Sequence, residues 1–331
     1  METWPELHKA VKEAVKSLST GTGSTMVAAD LSCSSGPNTL LVISEVMSTV
    51  RACVRDMPGA MEVQFFLNDL PGNDFNLVFR SLEKLHSSVA VEAALAAAAP
   101  CYVAGLPGSM YTRIFPCEIV HLFHSSHCLI WRSKVPEDLS NGTHVNAGNI
   151  YIGKTTAQVV VKLFREQFER DFELFLTLRY KELVSGGRMV LTFAGRKRGE
   201  IPMHGGVARV WELLAEALQH LVQKGPVETK KLSSFNMPYY APSVDEISDF
   251  LSQTGMPMMT QMAMLFPILP AVSLIIAKII RAGIEPLIVN HFGEDILDEL
   301  FMAYTSILAK DLEKGKAMCP VIVVILKKSK H

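Results

Sequence analysis

STMVAADLSCSSGPN, residues 24–38, begins as an apolar segment and continues as a loop of small residues. The apolar part predicts a buried strand that ends at Asp30, and a helix is expected to begin near Asn38. Residues 62–72, EVQFFLNDLPG, predict a second strand that ends at Asp69. This order of strand, loop, helix and strand is typical of a βαβ unit with two parallel strands.

The same alternation continues along the rest of the chain. It predicts helices near 73–86, 155–184, 207–224 and 294–312, and strands near 101–104, 119–124, 188–193 and 321–326. The pair Gly186-Gly187 is expected to end the longest helix. Alternating strands and helices indicate an α/β fold with a mostly parallel, doubly wound sheet covered on both faces.

We expect one domain over residues 1–331, because neither a repeat nor a linker divides the chain. The sheet core is predicted mainly from 24–134, 186–196 and 260–331. An α-helical cap is predicted mainly from 135–160 and 200–310, interleaved with the core.

Composition excludes several classes of protein. The 331 residues carry a net charge of −1, with 49% hydrophobic and 20% charged residues, so the chain is neither disordered nor basic enough to suggest nucleic acid as a partner. The six cysteines show no paired spacing, which favours a reducing, cytoplasmic location. The uncharged stretch 254–277 is long enough to span a membrane, but its prolines favour a buried strand and a helix instead.

Two acids occupy the places where such a sheet binds ligands. Asp30 and Asp69 end neighbouring predicted strands, and ligands bind beyond the carboxyl ends of parallel strands. The first loop lacks the GxGxxG pattern of dinucleotide sites and follows the spacing Asp-x-small-x-small-x-Gly of S-adenosylmethionine (SAM) sites. The spacing alone leaves open the alternative of a helix-capping loop beside a solvated Asp.

Two other kinds of site are disfavoured. His121, His124 and His127 suggest zinc, but residues three apart on a strand face opposite sides, which scatters the ligands. A hydrolase site at Gly108-Ser109 would need the GxSxG motif, which is absent.

Several motifs resemble the SABATH family of plant SAM-dependent carboxyl methyltransferases. They are DLSCSSGPN (30–38), FLNDLPGNDFN (66–76), LPGSMYTRIFP (106–116), HSSHCLIW (124–131), GNIY (148–151), GGRMVLTFAGR (186–196), FNMPYYAPS (235–243) and EPLIVNHFGE (285–294). The resemblance implies a Rossmann-like methyltransferase fold and methyl transfer to a small-molecule carboxylic acid such as salicylate, benzoate, jasmonate, anthranilate or indole-3-acetate. It also implies a homodimer, whereas the absence of nucleic acid and membrane as partners is predicted from the charge and from the prolines of 254–277.

The resemblance assigns roles position by position. SAM binding is implied for Asp30, Cys33, Asn38, Asp69, Leu70, Ser109 and Met110, where Met110 replaces the usual Phe. Acid binding is implied for His127, Ile130, Trp131, Trp211, Tyr240 and Phe301, and with weaker alignment for Ile280 and Gly283. No residue is expected to act as an acid or base, so catalysis would come from alignment alone.

The Mg²⁺ position known in many family members is only partly present. Its residues here are Asn149, Phe235 and Asn236, and Ser233 replaces the family's Asp. Mg²⁺ prefers at least one carboxylate ligand, so the loss of this Asp argues against the ion.

Two departures from the family predict a poor or inactive methyltransferase. Residues 1–331 contain no Ser-Tyr-Ala-x-Asn-Ser motif, and they lack the nearby Gln that contacts the substrate carboxylate in family members. Ser32 replaces a family Gly, which costs about 1 kcal/mol if the backbone there needs a positive φ. The alternatives are a non-catalytic ligand-binding or heterodimerising relative, and an active enzyme whose gene model is incomplete.

Overall fold

A seven-stranded sheet forms the centre of the computed structural model, which describes residues 3–18, 24–55, 61–88, 99–255, 258–265, 272–313 and 320–329. The strands are β1 (Ser24–Leu31), β2 (Met61–Asp69), β3 (Cys101–Pro107), β4 (Val120–Ser126), β5 (Leu183–Ala194), β6 (Met258–Leu265) and β7 (Val321–Lys328). Their order across the sheet is β3-β2-β1-β4-β5-β7-β6. The first five strands run parallel, and β7 lies antiparallel between β5 and β6.

Helices cover both faces of this sheet. They are α1 (Trp4–Ser17), α2 (Asn38–Val54), α3 (Phe75–Ser88), α4 (Glu137–Ser140), α5 (Gln158–Glu182), α6 (Gly206–Lys224), α7 (Thr229–Ser234), α8 (Val244–Gln253), α9 (Ser273–Phe292) and α10 (Leu297–Leu312). One apolar core joins α1, α2 and α3 to one face, and a larger core joins α5, α6, α9 and α10 to the rest of the molecule. The predicted α/β class and mostly parallel sheet are confirmed.

The boundary between α5 and β5 differs from the prediction. The Gly186-Gly187 pair does not end the helix but lies inside β5, which begins at Leu183 directly after the helix. Leu183 takes an extended conformation (φ −69°, ψ 137°), so the chain passes from helix to strand without a glycine. A Cβ at Gly187 would lie 2.9 Å from the Val184 carbonyl oxygen, so Gly187 serves close packing of the strand, and Gly186 has a positive φ of 78°.

The uncharged stretch 254–277 forms a strand and the start of a helix, but its strand is not buried as predicted. β6 pairs with β7 along one side only and leaves Thr260, Gln261 and Ala263 exposed. The prolines at 257, 267 and 270 lie outside the described residues. Across the described part of the chain, every helix is too short or too polar to cross a bilayer.

The helices after β5 pack on one another as a group. α6 packs against α10, and α10 packs against α9. These helices follow β5 in the sequence, largely within the residues for which an α-helical cap was predicted. The division of the chain into sheet core and cap stays a prediction.

Candidate active site

The direction of chain progress through the sheet reverses between β1 and β4, and Asp30 lies at this point. β1 and β4 are neighbours, and their register places Asp30 opposite His124. His124 Nδ1 donates a hydrogen bond to Asp30 Oδ1 at 2.7 Å, and both side chains are buried. The hydrogen bond fixes the orientation of the Asp30 carboxylate, at the position where open α/β sheets bind ligands.

Asp69 links the ends of β1 and β2. Its Oδ2 accepts a hydrogen bond from the Ser34 backbone N–H at 2.6 Å, and its Oδ1 accepts one from the Leu70 N–H at 2.7 Å. Burial raises the pKa of the Asp69 carboxyl above its ordinary value, although these two backbone donors oppose the rise. Each carboxylate oxygen retains acceptor capacity for a ligand hydroxyl.

Three non-glycine residues around this point have left-handed backbones. They are Ser32 (φ 57°), Ser34 (φ 59°) and His127 (φ 59°). The positive φ at Ser32, on which the predicted cost of losing the family Gly depends, is therefore present. Such conformations cost free energy and concentrate at ligand sites.

A cavity of about 600 Å³ opens at the same end of the sheet. Four predicted site residues line it: Asp30, Cys33, Asn38 and His127. Other lining residues include Thr3, Trp4, Ser32, Ser34, His124, Cys128 and Thr192. The other predicted cofactor residues border this group: Asp69 binds Ser34, and the Ser32 hydroxyl contacts Met110 Sδ at 3.6 Å. Leu70 is exposed beside Asp69, and Ser109 precedes Met110. The cavity's size, and the Asp30 carboxylate that lines it, fit SAM.

Three rings form an aromatic cluster that one backbone hydrogen bond connects to this cavity. Tyr239 contacts Trp131 and Trp211 edge to face, with ring centroids 5.3 and 5.1 Å apart. The Trp131 backbone N–H donates to the carbonyl of Cys128, which lines the cavity. The Trp211 indole N–H is buried and has no hydrogen-bond partner among the described residues. The two tryptophans predicted to bind the acid are therefore held together by one tyrosine.

The remaining predicted acid-binding residues lie around this cluster at different depths. Tyr240 is fully buried, and its hydroxyl donates to Glu246 (2.9 Å) and accepts from Arg196 (3.2 Å). Ile130 is buried, and Phe301 packs on Tyr304 within the helices after β5. Ile280 is partly buried beside the core, and a Cβ at Gly283 would lie 3.8 Å from Trp131 Cζ2. The structure thus brings Gly283 to the cluster, and the acid-binding roles of all these residues stay predictions.

The residues of the magnesium position do not fit the ion. Asn149 donates to Thr155 Oγ1, the Asn236 side-chain oxygen faces Asn146, and Ser233 donates to a carbonyl of its own helix. Phe235 packs on the rings of His291 and Phe292. These residues supply no carboxylate and bond to the protein itself, so they do not form a Mg²⁺ site.

Sequence reasoning missed His124, Tyr239 and Tyr111 as parts of the site. His124 could have been found from the strand order, since it ends the strand beside Asp30. Tyr239 adjoins the chosen Tyr240, and neighbouring residues of an extended segment point in opposite directions. Tyr111 has no signal of its own, because its partner Trp131 lies 20 residues away, beyond β4.

The sheet order and the acids that end β1 and β2 define a SAM-dependent methyltransferase fold. A family model described as SAM dependent carboxyl methyltransferase matches residues 2–329, and the chain belongs to this family. It is 44% identical to anthranilate O-methyltransferase 2 of Zea mays over 100% of this chain and 93% of that protein. It is 45% identical to a Zea mays protein named inactive anthranilate O-methyltransferase 1, over 92% of this chain and 85% of that one.

A solved structure of loganic acid methyltransferase with SAH is similar to the whole chain. The TM-score is 0.84 at 30% sequence identity, covering 99% of this chain and 94% of the other. The comparison supports the methyltransferase fold independently of the family model.

Proposed function

We propose that the protein transfers the methyl group of SAM to a carboxylate oxygen of a small, flat aromatic acid and releases the methyl ester. The observation that carries this proposal is the unpartnered, buried indole N–H of Trp211, in an aromatic cluster that Trp131 connects to the cavity residue Cys128. A buried donor without a partner is costly, and a ligand carboxylate would satisfy it. The rings of Trp131 and Tyr239 offer apolar walls for a flat acid.

The residues would act by binding and orientation. When bound, SAM supplies an electrophilic methyl group to an oxygen of the carboxylate, which is already ionised at neutral pH, so no general base is needed. Asp30, fixed by His124, would attract the ammonium of SAM, and Asp69 would accept from its ribose hydroxyls. Trp211 would hold the acid, and alignment with exclusion of water would supply the rate.

A radiolabelled methyl-transfer assay tests the proposed function. The panel contains anthranilate, benzoate, salicylate, jasmonate and indole-3-acetate, with labelled SAM as donor. We expect a labelled ester from at least one aromatic acid. If S-adenosylhomocysteine (SAH) binds but none of the acids is methylated, even on long incubation, the enzymatic proposal is wrong and the non-catalytic ligand-binding alternative replaces it.

We also propose that residues 1–331 by themselves turn over slowly. The strained backbone at Ser32 supports this, as does the absence of the Ser-Tyr-Ala-x-Asn-Ser motif and its Gln from these residues. A hydrogen bond to a charged group contributes about 1.5–3 kcal/mol, so a substrate carboxylate without that Gln would be held less firmly. One relative, 45% identical to this chain, is named inactive anthranilate O-methyltransferase 1.

Grafting the family segment onto residues 1–331 tests the proposal of slow methyl transfer. The segment that contains this motif in a family member is fused ahead of residue 1, and a scrambled segment of equal length is the control. We expect faster methyl transfer in the fusion that carries the family segment and no gain in the fusion that carries the scrambled segment. Equal rates for the two fusions would contradict the proposal.

We also propose that the protein forms a homodimer and works in a reducing compartment. The exposed apolar side chains Leu274, Ile275 and Ile279 of α9 offer a surface for a second copy, and the described cysteines are free thiols. Sedimentation that shows only monomer at about micromolar concentration would contradict the dimer.

A further inference from the structure

Helix α5 holds the segment that follows β3. Arg179 of this helix donates to the carbonyls of Met110 (2.8 Å) and Thr112 (2.7 Å). Glu182, one turn on, accepts from the backbone N–H groups of Ile114 (3.0 Å) and Phe115 (3.2 Å). The segment 109–115, which carries the predicted cofactor residues Ser109 and Met110, is therefore bonded at four backbone positions to one helix.

The two charged side chains also hold each other. Arg179 Nε lies 2.7 Å from Glu182 Oε2, and both side chains are fully buried. The Arg179 guanidinium also lies over the rings of Phe123 and Phe175. A buried ion pair whose other polar atoms bind backbone has one favourable geometry, because any displacement leaves a charge unpaired.

The same helix holds the chain just after Trp131. Asp171 Oδ2 accepts from the Ser133 backbone N–H and Oδ1 accepts from the Ser133 hydroxyl, each at 2.7 Å. Gln167 donates to the same carboxylate at 2.9 Å. Helix α5 thus fixes the cofactor-side segment near its C-terminal end and the acid-side segment two turns earlier.

Tyr111 joins the two segments directly. Its hydroxyl donates to the Trp131 backbone carbonyl at 2.6 Å, and its own backbone follows Met110. Burial raises the pKa of Tyr111 to about 12, so the hydroxyl keeps its proton at neutral pH. Arg132 lies over its ring, 5.9 Å from the centroid.

We propose that Tyr111 is a positioning residue that couples the SAM side of the site to the acid side, with α5 as their common support. The inference rests on the proposed function, in which methyl transfer depends on alignment alone. A shift of about 1 Å between donor and acceptor lowers such a rate by about 10²-fold. The hydroxyl of Tyr111 bridges the two segments that carry Met110 and Trp131.

The test compares Tyr111→Phe with Tyr102→Phe. Both variants remove one phenol oxygen, but Tyr102 lies exposed on the edge strand β3. Calorimetry measures the affinity for SAH with and without saturating benzoate, the smallest aromatic acid of the panel. In the parent chain and in Tyr102→Phe, we expect benzoate to raise SAH affinity about tenfold, and by linkage SAH raises benzoate affinity equally.

In Tyr111→Phe we expect this coupling to fall below about twofold, while the affinity for SAH alone stays within about twofold of the parent. A merely structural role would instead lower both affinities and the melting temperature together. Coupling that survives in Tyr111→Phe, or that is absent from the parent chain, overturns the inference.

A second variant and the activity assay separate the possible failures. Asp171→Asn keeps the shape of the side chain but weakens its hold on Ser133, so it should lose the same coupling. In turnover, kcat of Tyr111→Phe should fall while its KM for SAM stays unchanged. If the parent chain methylates an acid but keeps its coupling in both variants, the positioning role is wrong and the proposed function stands. If the parent chain binds SAH but neither binds nor methylates an acid, the proposed function itself is wrong.

Discussion

Asp69 receives a hydrogen bond from the backbone of Ser34, with 2.6 Å between Ser34 N and Asp69 Oδ2. Ser34 lies in the loop after β1 and Asp69 ends the neighbouring parallel strand β2, so this bond fixes that loop relative to the end of β2. The carboxylate therefore shapes the first loop, and under the proposed function it also accepts hydrogen bonds from the cofactor.

Replacing Asp69 should weaken cofactor binding. We expect Asp69→Ala to lower SAH affinity at least about tenfold, or about 1.4 kcal/mol, because a charge-assisted hydrogen bond is lost. Calorimetry measures the affinity, and the exposed Asp298→Ala is the control. Unchanged affinity in a folded Asp69→Ala variant would contradict the role of Asp69.

The raised pKa of Asp69 gives cofactor binding a pH dependence. The ionised carboxylate accepts hydrogen bonds from ribose hydroxyls, so binding is strongest above the raised pKa and weakens as the pH falls through it. The weakening should begin at a higher pH than for an ordinary Asp. Titrations of SAH between about pH 7 and about pH 5 measure this, and Asp69→Asn should flatten the profile. If SAH affinity in Asp69→Asn keeps the same pH dependence as in the parent chain, a group other than Asp69 causes that dependence.

Ser32→Gly should stabilise the protein. Glycine adopts a positive φ without the steric penalty of a side chain, so we expect a gain of about 1 kcal/mol in the free energy of unfolding. Thermal or urea unfolding measures the change. Ser35→Gly, in the same loop but without a positive φ, should bring no gain. A destabilised Ser32→Gly would mean that the contact of its hydroxyl with Met110 outweighs the strain.

Trp211→Phe should affect the acid and not the cofactor. The substitution keeps an aromatic ring beside Tyr239 but removes the unpartnered N–H. We expect KM for the preferred acid to rise about tenfold, because a hydrogen bond to a charged group is lost, while SAH affinity stays the same. An unchanged KM would exclude the indole N–H as a donor to the acid.

Much of the framework could be predicted from local patterns. The apolar segments before Asp30 and Asp69 are short and end in polar loops, so the strand ends were readable without any tertiary information. The end of α5 could not be predicted in this way, because Gly186-Gly187 has the pattern of a helix terminator but lies inside β5, where Gly187 meets a steric need. Local sequence cannot distinguish these two uses of glycine.

The site was predictable in its residues but not in its connections. Trp131 and Trp211 could be named in advance, yet the ring that joins them belongs to Tyr239 rather than to the chosen Tyr240. The bonds of Arg179 to the segment after β3 join positions 67 and 69 residues apart. Such contacts depend on how α5 packs on the sheet, and no periodicity in the sequence records that.

Gly283 has one more consequence. A glycine inside a helix costs about 1 kcal/mol relative to alanine, and α9 accepts this cost where its backbone faces Trp131. An alanine methyl would lie 3.8 Å from the indole, in ordinary contact, so the helix itself has room for it. What that methyl would fill is the space beside the aromatic cluster. Under the proposed function, in which the aromatic cluster holds the acid, Gly283→Ala would therefore stabilise α9 and reduce the space left for the acid.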